Sequence, residues 1–81
     1  MRLTVYSREY CSLCHAMVAA LEALQPEHGF HLEILDVDED DALETRFGSK
    51  VPVLIGEDGK EICHYHLDRA ALEVVLAGAG G

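Results

Sequence analysis

Leu3-Thr4-Val5-Tyr6-Ser7-Arg8-Glu9-Tyr10-Cys11-Ser12-Leu13-Cys14 is the stretch on which the fold turns. Its first four residues have the β-branched and aromatic character of a short strand, and Ser7-Arg8-Glu9 follow as a polar loop. The period then changes. From Leu13 the apolar residues Met17, Leu21 and Leu24 recur at helical spacing beside Val18 and Ala20, and Pro26 with Gly29 marks the expected end of a first helix. Two cysteines three positions apart therefore sit where a strand hands over to a helix. With Cys11 at the helix start, unpaired N–H groups and the positive end of the helix dipole stabilise its thiolate, which lowers its pKa and makes it nucleophilic at neutral pH. Cys14, one turn in, shares a stripe with Val18 and Leu21, so it is expected to be more shielded yet within reach of the first sulfur. These positions assign roles: Cys11 attacks a substrate disulfide, and Cys14 resolves the mixed disulfide by attacking Cys11.

Working outward, Phe30 to Val37 reads as a second strand, with Leu32, Ile34, Leu35 and Val37 as its apolar content. Strand, helix and strand in that order favour a right-handed parallel crossover. Asp41-Ala42-Leu43-Glu44 has the acidic form of a capping box, Leu43 and Phe47 lie four apart, and Gly48 suits the residue past the end of a short second helix. Val53-Leu54-Ile55 and Glu61-Ile62-Cys63 flank Asp58-Gly59, the dipeptide of a tight hairpin turn with positive backbone dihedrals. That turn places His64 opposite Val53 and Tyr65 opposite Pro52. Leu67, Ala71, Leu72, Val75 and Leu76 form the stripe of a third helix behind Asp68, ended by Gly78 and the Gly80-Gly81 tail. The expected order is β-α-β-α-β-β-α, an α/β fold without repeats.

With 81 residues the chain is expected to form one domain over 1–81, and 49% hydrophobic residues with only 6% aromatic allow an aliphatic core without disulfide staples. Six Lys and Arg against fifteen Asp and Glu give a net charge of -9, which repels phosphate backbones and anionic lipid, so no nucleic-acid or membrane partner is expected. The longest apolar run, Ala16 to Leu21, is far short of the roughly 20 residues that span a bilayer. Met1-Arg2 lead directly into the first strand without the pattern of a secretion signal, so a cytoplasmic location is expected. Three cysteines cannot all pair, and a reducing compartment keeps structural bridges rare. The cysteines need a chemical explanation.

Other readings compete for the same residues. A C-x-x-C pair can be two buried small hydrophobes or half a zinc site, but inside a cytosolic strand-helix-strand unit it reads as a redox motif. Cys14-His15 completes the C-x-x-C-H spacing of covalent haem attachment, which is set aside because no secretion signal precedes it and Met17, on the same helix, is a poor distal ligand. His15, His64 and His66 converging on Cys11 and Cys14 would make a zinc-competent set, so a metal-binding or Fe–S or zinc carrier module is the main rival. Against it, there is no second cysteine pair, and Cys63 reads as an inert strand residue. His28 and His31 read as solvated, and a redox-inactive interaction domain is a third alternative. The acidic run from Asp36 to Asp41 is expected at the edge that carries Cys11, as a solvated loop with capping acids. Its field opposes the helix dipole and Arg8 and disfavours anionic glutathione, within a Debye length of about 8 Å. Its Asp36, Asp38, Asp40 alternation fails as a calcium loop at the required glycine, where Asp41 stands, and at the final acid, where Phe47 stands.

Proline before a strand is also ambiguous on its own: Val51-Pro52 fits an ordinary trans proline at a strand start or a cis bond that leaves the Val51 N–H and C=O facing an extended substrate backbone. A basic residue three positions before the first cysteine (Arg8), the pair Cys11 and Cys14, and Lys50-Val51-Pro52 before the third strand occur together, and in this the chain resembles the glutaredoxin-like members of the thioredoxin-fold superfamily over nearly its full length. The resemblance implies a four-stranded mixed sheet flanked by helices, a cis bond before Pro52, Cys11 as nucleophile and Cys14 as resolving thiol. The substrate-binding set expected with it is Arg8, Tyr10, Val51, Pro52 and Tyr65. Two departures stand out. Glutaredoxins place a Gly-Gly pair before an Asp-containing helix start to hold the glutathione γ-glutamyl carboxylate, whereas Cys63-His64-Tyr65-His66-Leu67-Asp68 matches only at Asp68, so weak glutathione use is expected. Ser12-Leu13 also replaces a proline-tyrosine dipeptide, which should alter the potential of the pair. The expected protein is a small monomeric thiol-disulfide oxidoreductase with no bound organic cofactor, acting on a disulfide-containing protein or small thiol substrate.

Overall fold

In the computed structural model, which describes residues 1–79, the chain runs β1 (Arg2–Ser7), α1 (Ser12–His28), β2 (His31–Asp36), a 3-10 turn at Val37–Glu39, α2 (Asp41–Phe47), β3 (Val53–Ile55), β4 (Glu61–His64) and α3 (Arg69–Ala79). The expected Gly80-Gly81 tail lies outside the described residues. Strand order in the sheet is β2-β1-β3-β4, with β1 and β2 parallel and the other neighbours antiparallel. Alternation along β1 decides what each face meets. Leu3 and Val5 are fully buried with Leu54 against Met17 and Leu21 of α1 and Leu72 of α3. On the other face Tyr6 packs with Val37, Phe47, Val53 and Ile55, so α2 covers that side. This is the four-stranded mixed sheet flanked by helices that the resemblance implies. Among the described residues no helix is long and apolar enough to cross a membrane.

Three local expectations change. Helix α1 does not stop at Pro26 but carries it inside the last turn, ending at Gly29, whose φ of 70° suits glycine and whose N–H donates to the Gln25 C=O at 2.7 Å. The proline removes one backbone donor there, while Leu21 and Leu24 on its N-terminal side hold the helix to the core. The cap of α2 is Asp40 rather than Asp41: the Asp40 carboxylate accepts the Ala42 N–H at 2.8 Å, and Glu44, expected to complete a capping box, is turned to Arg8 instead. Gly48 follows α2 in right-handed conformation, so its need for glycine is spatial, since a Cβ would stand 2.5 Å from the Glu44 C=O.

The hairpin reaches the expected register by two offsetting shifts. Its loop has three residues, not two, because Gly56 N–H donates to the Lys60 C=O at 2.9 Å, and only Gly59 in it has positive φ, 83°. A bulge between Leu54 and Ile55 on the partner register then restores the alignment, so Val53 pairs His64 and the Tyr65 N–H donates to the Pro52 C=O at 2.9 Å. The bulge also sends Ile62 and Cys63 to the α1/α3 side together. Glu61 and His64 are thereby brought to one face, where His64 Nδ1 and Glu61 Oε2 lie 2.9 Å apart.

Candidate active site

The parallel register aligns Ser7 with Asp36, so the loop leading to Cys11 and the acidic segment leave the sheet at the same edge. Cys11 is the N-cap of α1, with extended backbone (φ −141°, ψ 104°), and its sulfur accepts the Cys14 N–H at 3.2 Å. Its C=O accepts the His15 N–H at 3.1 Å, closing the first turn. The amide that would otherwise be an orphan donor thus points at sulfur, an arrangement that favours a thiolate. Cys11 and Cys14 are joined as a disulfide with Cα atoms 5.2 Å apart. Cys14 is fully buried and Cys11 only partly so, which leaves Cys11 as the sulfur a substrate can approach.

Arg8 stands in the β1–α1 loop, but its charge is balanced within the chain. Its Nε reaches both Asp38 carboxylate oxygens at 3.1 and 3.2 Å, one terminal nitrogen pairs with Glu44, and the other lies 3.5 Å from the Gly48 C=O. The Glu44 hydrogen bond, helped by Asp38 and opposed by partial burial, holds the guanidinium above its ordinary pKa. Arg8 therefore ties the cysteine loop to the 3-10 turn and to the end of α2.

The Val51–Pro52 peptide bond is cis, as the resemblance implies, and Pro52 is buried. Val51 N–H and C=O make no hydrogen bond among the described residues. Tyr65 binds this loop at two points: its N–H donates to the Pro52 C=O and its hydroxyl donates to the Ser49 C=O at 2.9 Å. Its own φ is 63°, and the His66 N–H closes on the His64 C=O at 2.7 Å across it. A bulky residue is held there in a region that costs about 1–3 kcal/mol. The backbone thus follows a path suited to glycine even though the side chain is a phenol.

Three large apolar side chains gather around the disulfide: Tyr10 is 92% exposed, Leu13 39% and Tyr65 43%. Beside it runs a groove of about 280 Å³ between the first two turns of α1 and the β4–α3 turn, lined by Leu13, Ala16, Met17, Tyr65, His66 and Leu67. The expected histidine cluster does not form. His15, His64 and His66 are exposed, His64 is occupied by Glu61, and among the described residues no three His, Cys, Asp or Glu side chains gather as a metal site. His28 and His31 are exposed at the end of α1 and the start of β2.

Cys63 lies half-buried on β4, and burial, followed by the Asp68 and Glu61 carboxylates, pushes its thiol above the ordinary value of 9.0 against a favourable Asp68 N–H. Because the unfolded thiol ionises first, its contribution to stability is present below pH 9.0 and is lost as pH rises through the higher folded value. Replacing Cys63 with Ala is expected to flatten the alkaline fall in urea midpoint. An unchanged slope above pH 9.0 would show that Cys63 does not cause it.

Asp38, Glu44, Ser49 and the groove residues were not singled out by the sequence reading. The parallel register of β1 and β2 would have brought Asp38 close to Arg8; no local pattern points to Ser49.

The model of the glutaredoxin-like domain (DUF836) matches residues 2–77. The chain belongs to this glutaredoxin-like family. It is similar to the solution structure of protein Ne2328 from Nitrosomonas europaea, at 39% identity over 90% of this chain and 87% of that one, with a TM-score of 0.81. It is also similar to the X-ray structure of XcR50 from X. campestris, at 34% identity over 94% and 96% of the two chains, with a TM-score of 0.70. Thioredoxin 1 from Thermosipho africanus TCF52B, 19% identical over the whole of both chains with a TM-score of 0.68, shares the fold. No curated protein matches. A glutaredoxin-like domain on a thioredoxin fold, with a cysteine pair at disulfide distance, supports a redox-type role.

Proposed function

We propose that this glutaredoxin-like domain is a thiol-disulfide oxidoreductase that reduces disulfides of proteins or small thiols in the cytoplasm, as a monomer and without a bound organic cofactor. The observation that carries the reading is the asymmetry of the pair: a partly exposed Cys11 with an amide aimed at its sulfur, and a fully buried Cys14 already within bonding distance. In the dithiol form, the Cys11 thiolate attacks one substrate sulfur and the other leaves as a thiolate that takes a proton. Cys14, losing its proton, then attacks Cys11 Sγ, forming the intramolecular bond and releasing the second substrate thiol. Two electrons pass from protein to substrate. Val51 supports the reading with a free N–H and C=O for an extended substrate backbone, next to Pro52 and within reach of Tyr65; Tyr10 adds exposed apolar surface. Glutathione use is expected to be weak, because Arg8 is neutralised by Asp38 and Glu44 and Tyr65 fills the turn.

The test is to reduce the protein, add a disulfide substrate, quench by alkylation and map the thiols by mass. Oxidation of Cys11 with Cys14, leaving Cys63 alkylated, is expected. Three alkylated cysteines after exposure to an oxidising disulfide would refute the reading.

A further inference from the structure

Resting on the oxidoreductase reading, we infer that the groove beside Cys11 is a side-chain subsite. It selects polypeptide disulfides with an apolar residue next to the reacting cysteine and basic residues further out, and Tyr65 is its specificity-determining wall.

The groove is apolar along its floor, from Leu13, Ala16, Met17 and Leu67, and it opens beside the only partly exposed sulfur of the pair. At about 280 Å³ it lies below the roughly 300–1,000 Å³ of pockets that enclose a whole small ligand. It takes a side chain, with the rest of the substrate outside. Its wall is fixed beforehand: the Tyr65 N–H is bound to Pro52, its hydroxyl to Ser49, and its backbone is turned by the His66 to His64 bond. A wall that needs no ordering on binding returns more of the contact as affinity. The loop so bound carries the unpaired N–H and C=O of Val51, so a peptide that pairs with Val51 runs beside the groove.

Charge sets what lies further out. The same 48–52 loop is touched at Gly48 by Arg8, whose single charge faces two carboxylates, Asp38 and Glu44. Glu9 is exposed two residues before Cys11, and the chain carries -9 overall. A basic segment complements this surface, and an acidic one is repelled.

The experiment uses the reduced full chain and short peptides dimerised through one cysteine, with Leu or Ser next to it and Lys or Glu at the outer positions. The rate of Cys11–Cys14 oxidation is followed alongside bis(2-hydroxyethyl) disulfide as a featureless substrate. Leu peptides are expected to react about fivefold or more faster than Ser peptides. Lys-flanked peptides should outrun Glu-flanked ones at low ionic strength, with the gap closing in about 1 M salt, where the Debye length is about 3 Å. Tyr65→Gly, tolerated at positive φ, and Leu13→Ser, at an exposed position, should each bring the Leu/Ser ratio towards one, while Tyr65→Phe, which keeps the ring, should preserve it. Equal rates for Leu and Ser, or a Leu preference indifferent to both Tyr65→Gly and Leu13→Ser, would overturn the subsite. Faster reaction of the Glu-flanked peptides would overturn its charge preference. Failure of every disulfide, including the featureless one, to oxidise the pair would instead overturn the oxidoreductase reading beneath it.

Discussion

Cys11→Ser is expected to abolish disulfide reduction, and Cys14→Ser to stop the cycle halfway with the substrate still attached. The difference comes from where the two sulfurs sit. Cys11 caps α1 with the Cys14 N–H aimed at it and is open to solvent on one side, so it is the atom that makes first contact. A serine hydroxyl at the same position stays protonated at neutral pH and does not displace a thiolate, and a loss of at least about 10³-fold is expected, as for other nucleophile deletions. Cys14 is fully buried and meets only the sulfur beside it. Its loss leaves the first displacement intact and removes the second, so a mixed disulfide on Cys11 should accumulate one-to-one with protein and be visible as an added mass. The buried hydroxyl of Cys14→Ser costs stability of about 1–3 kcal/mol if unpaired, and Cys14→Ala provides the same test without it. Comparable turnover in the two variants, or a substrate adduct on Cys63, would contradict the assignment.

The site's chemistry was legible because it is local. A helix start is written in the change of period at Leu13, and the shielding of Cys14 follows from its stripe with Leu21. The hairpin register was read correctly at His64 and Tyr65 only because the longer loop and the bulge at Ile62 offset each other, and no pattern in Glu57 to Ile62 announces the bulge. What the sequence hides is mostly competition between distant partners. Glu44 has the spacing of a capping residue and would serve as one in an isolated helix; Arg8, thirty-six positions away, takes it, and Asp40 caps α2 in its place. The expectation of Arg8 as a substrate contact read its charge without the acids that balance it. The cis bond before Pro52 was open from the residues alone and was settled in advance only by resemblance. Tyr65 illustrates a different limit: local preference disfavours a phenol at positive φ, but the bonds to Pro52 and Ser49 hold it there.

Leu54→Ala is expected to cost more stability than any change at the surface of the site, because Leu54 is where the sheet and both helices of one face meet. It is fully buried, pairs with Val5 on one side and Cys63 on the other, and packs in one cluster with Leu21 of α1 and Leu72 of α3. Truncating such a leucine typically costs about 2–5 kcal/mol, the higher figure applying where neighbours cannot close the cavity. A domain of this size holds about 4–12 kcal/mol in total, from roughly 0.05–0.15 kcal/mol per residue, so the loss is a large share. With a urea slope near 1 kcal/mol/M, the midpoint should fall by about 2 M or more at unchanged slope. Ile34→Ala is the control: Ile34 is 47% exposed, and about 1 kcal/mol or less is expected. Strand β3 also follows directly from Pro52, so loosening it should raise the alkylation rate of reduced Cys63 across the sheet, at urea concentrations where the protein is still folded. Equal shifts in the Leu54 and Ile34 variants would mean that the α1/α3 face is not the principal core, and the placement of the cysteine pair at the end of that face would lose its support.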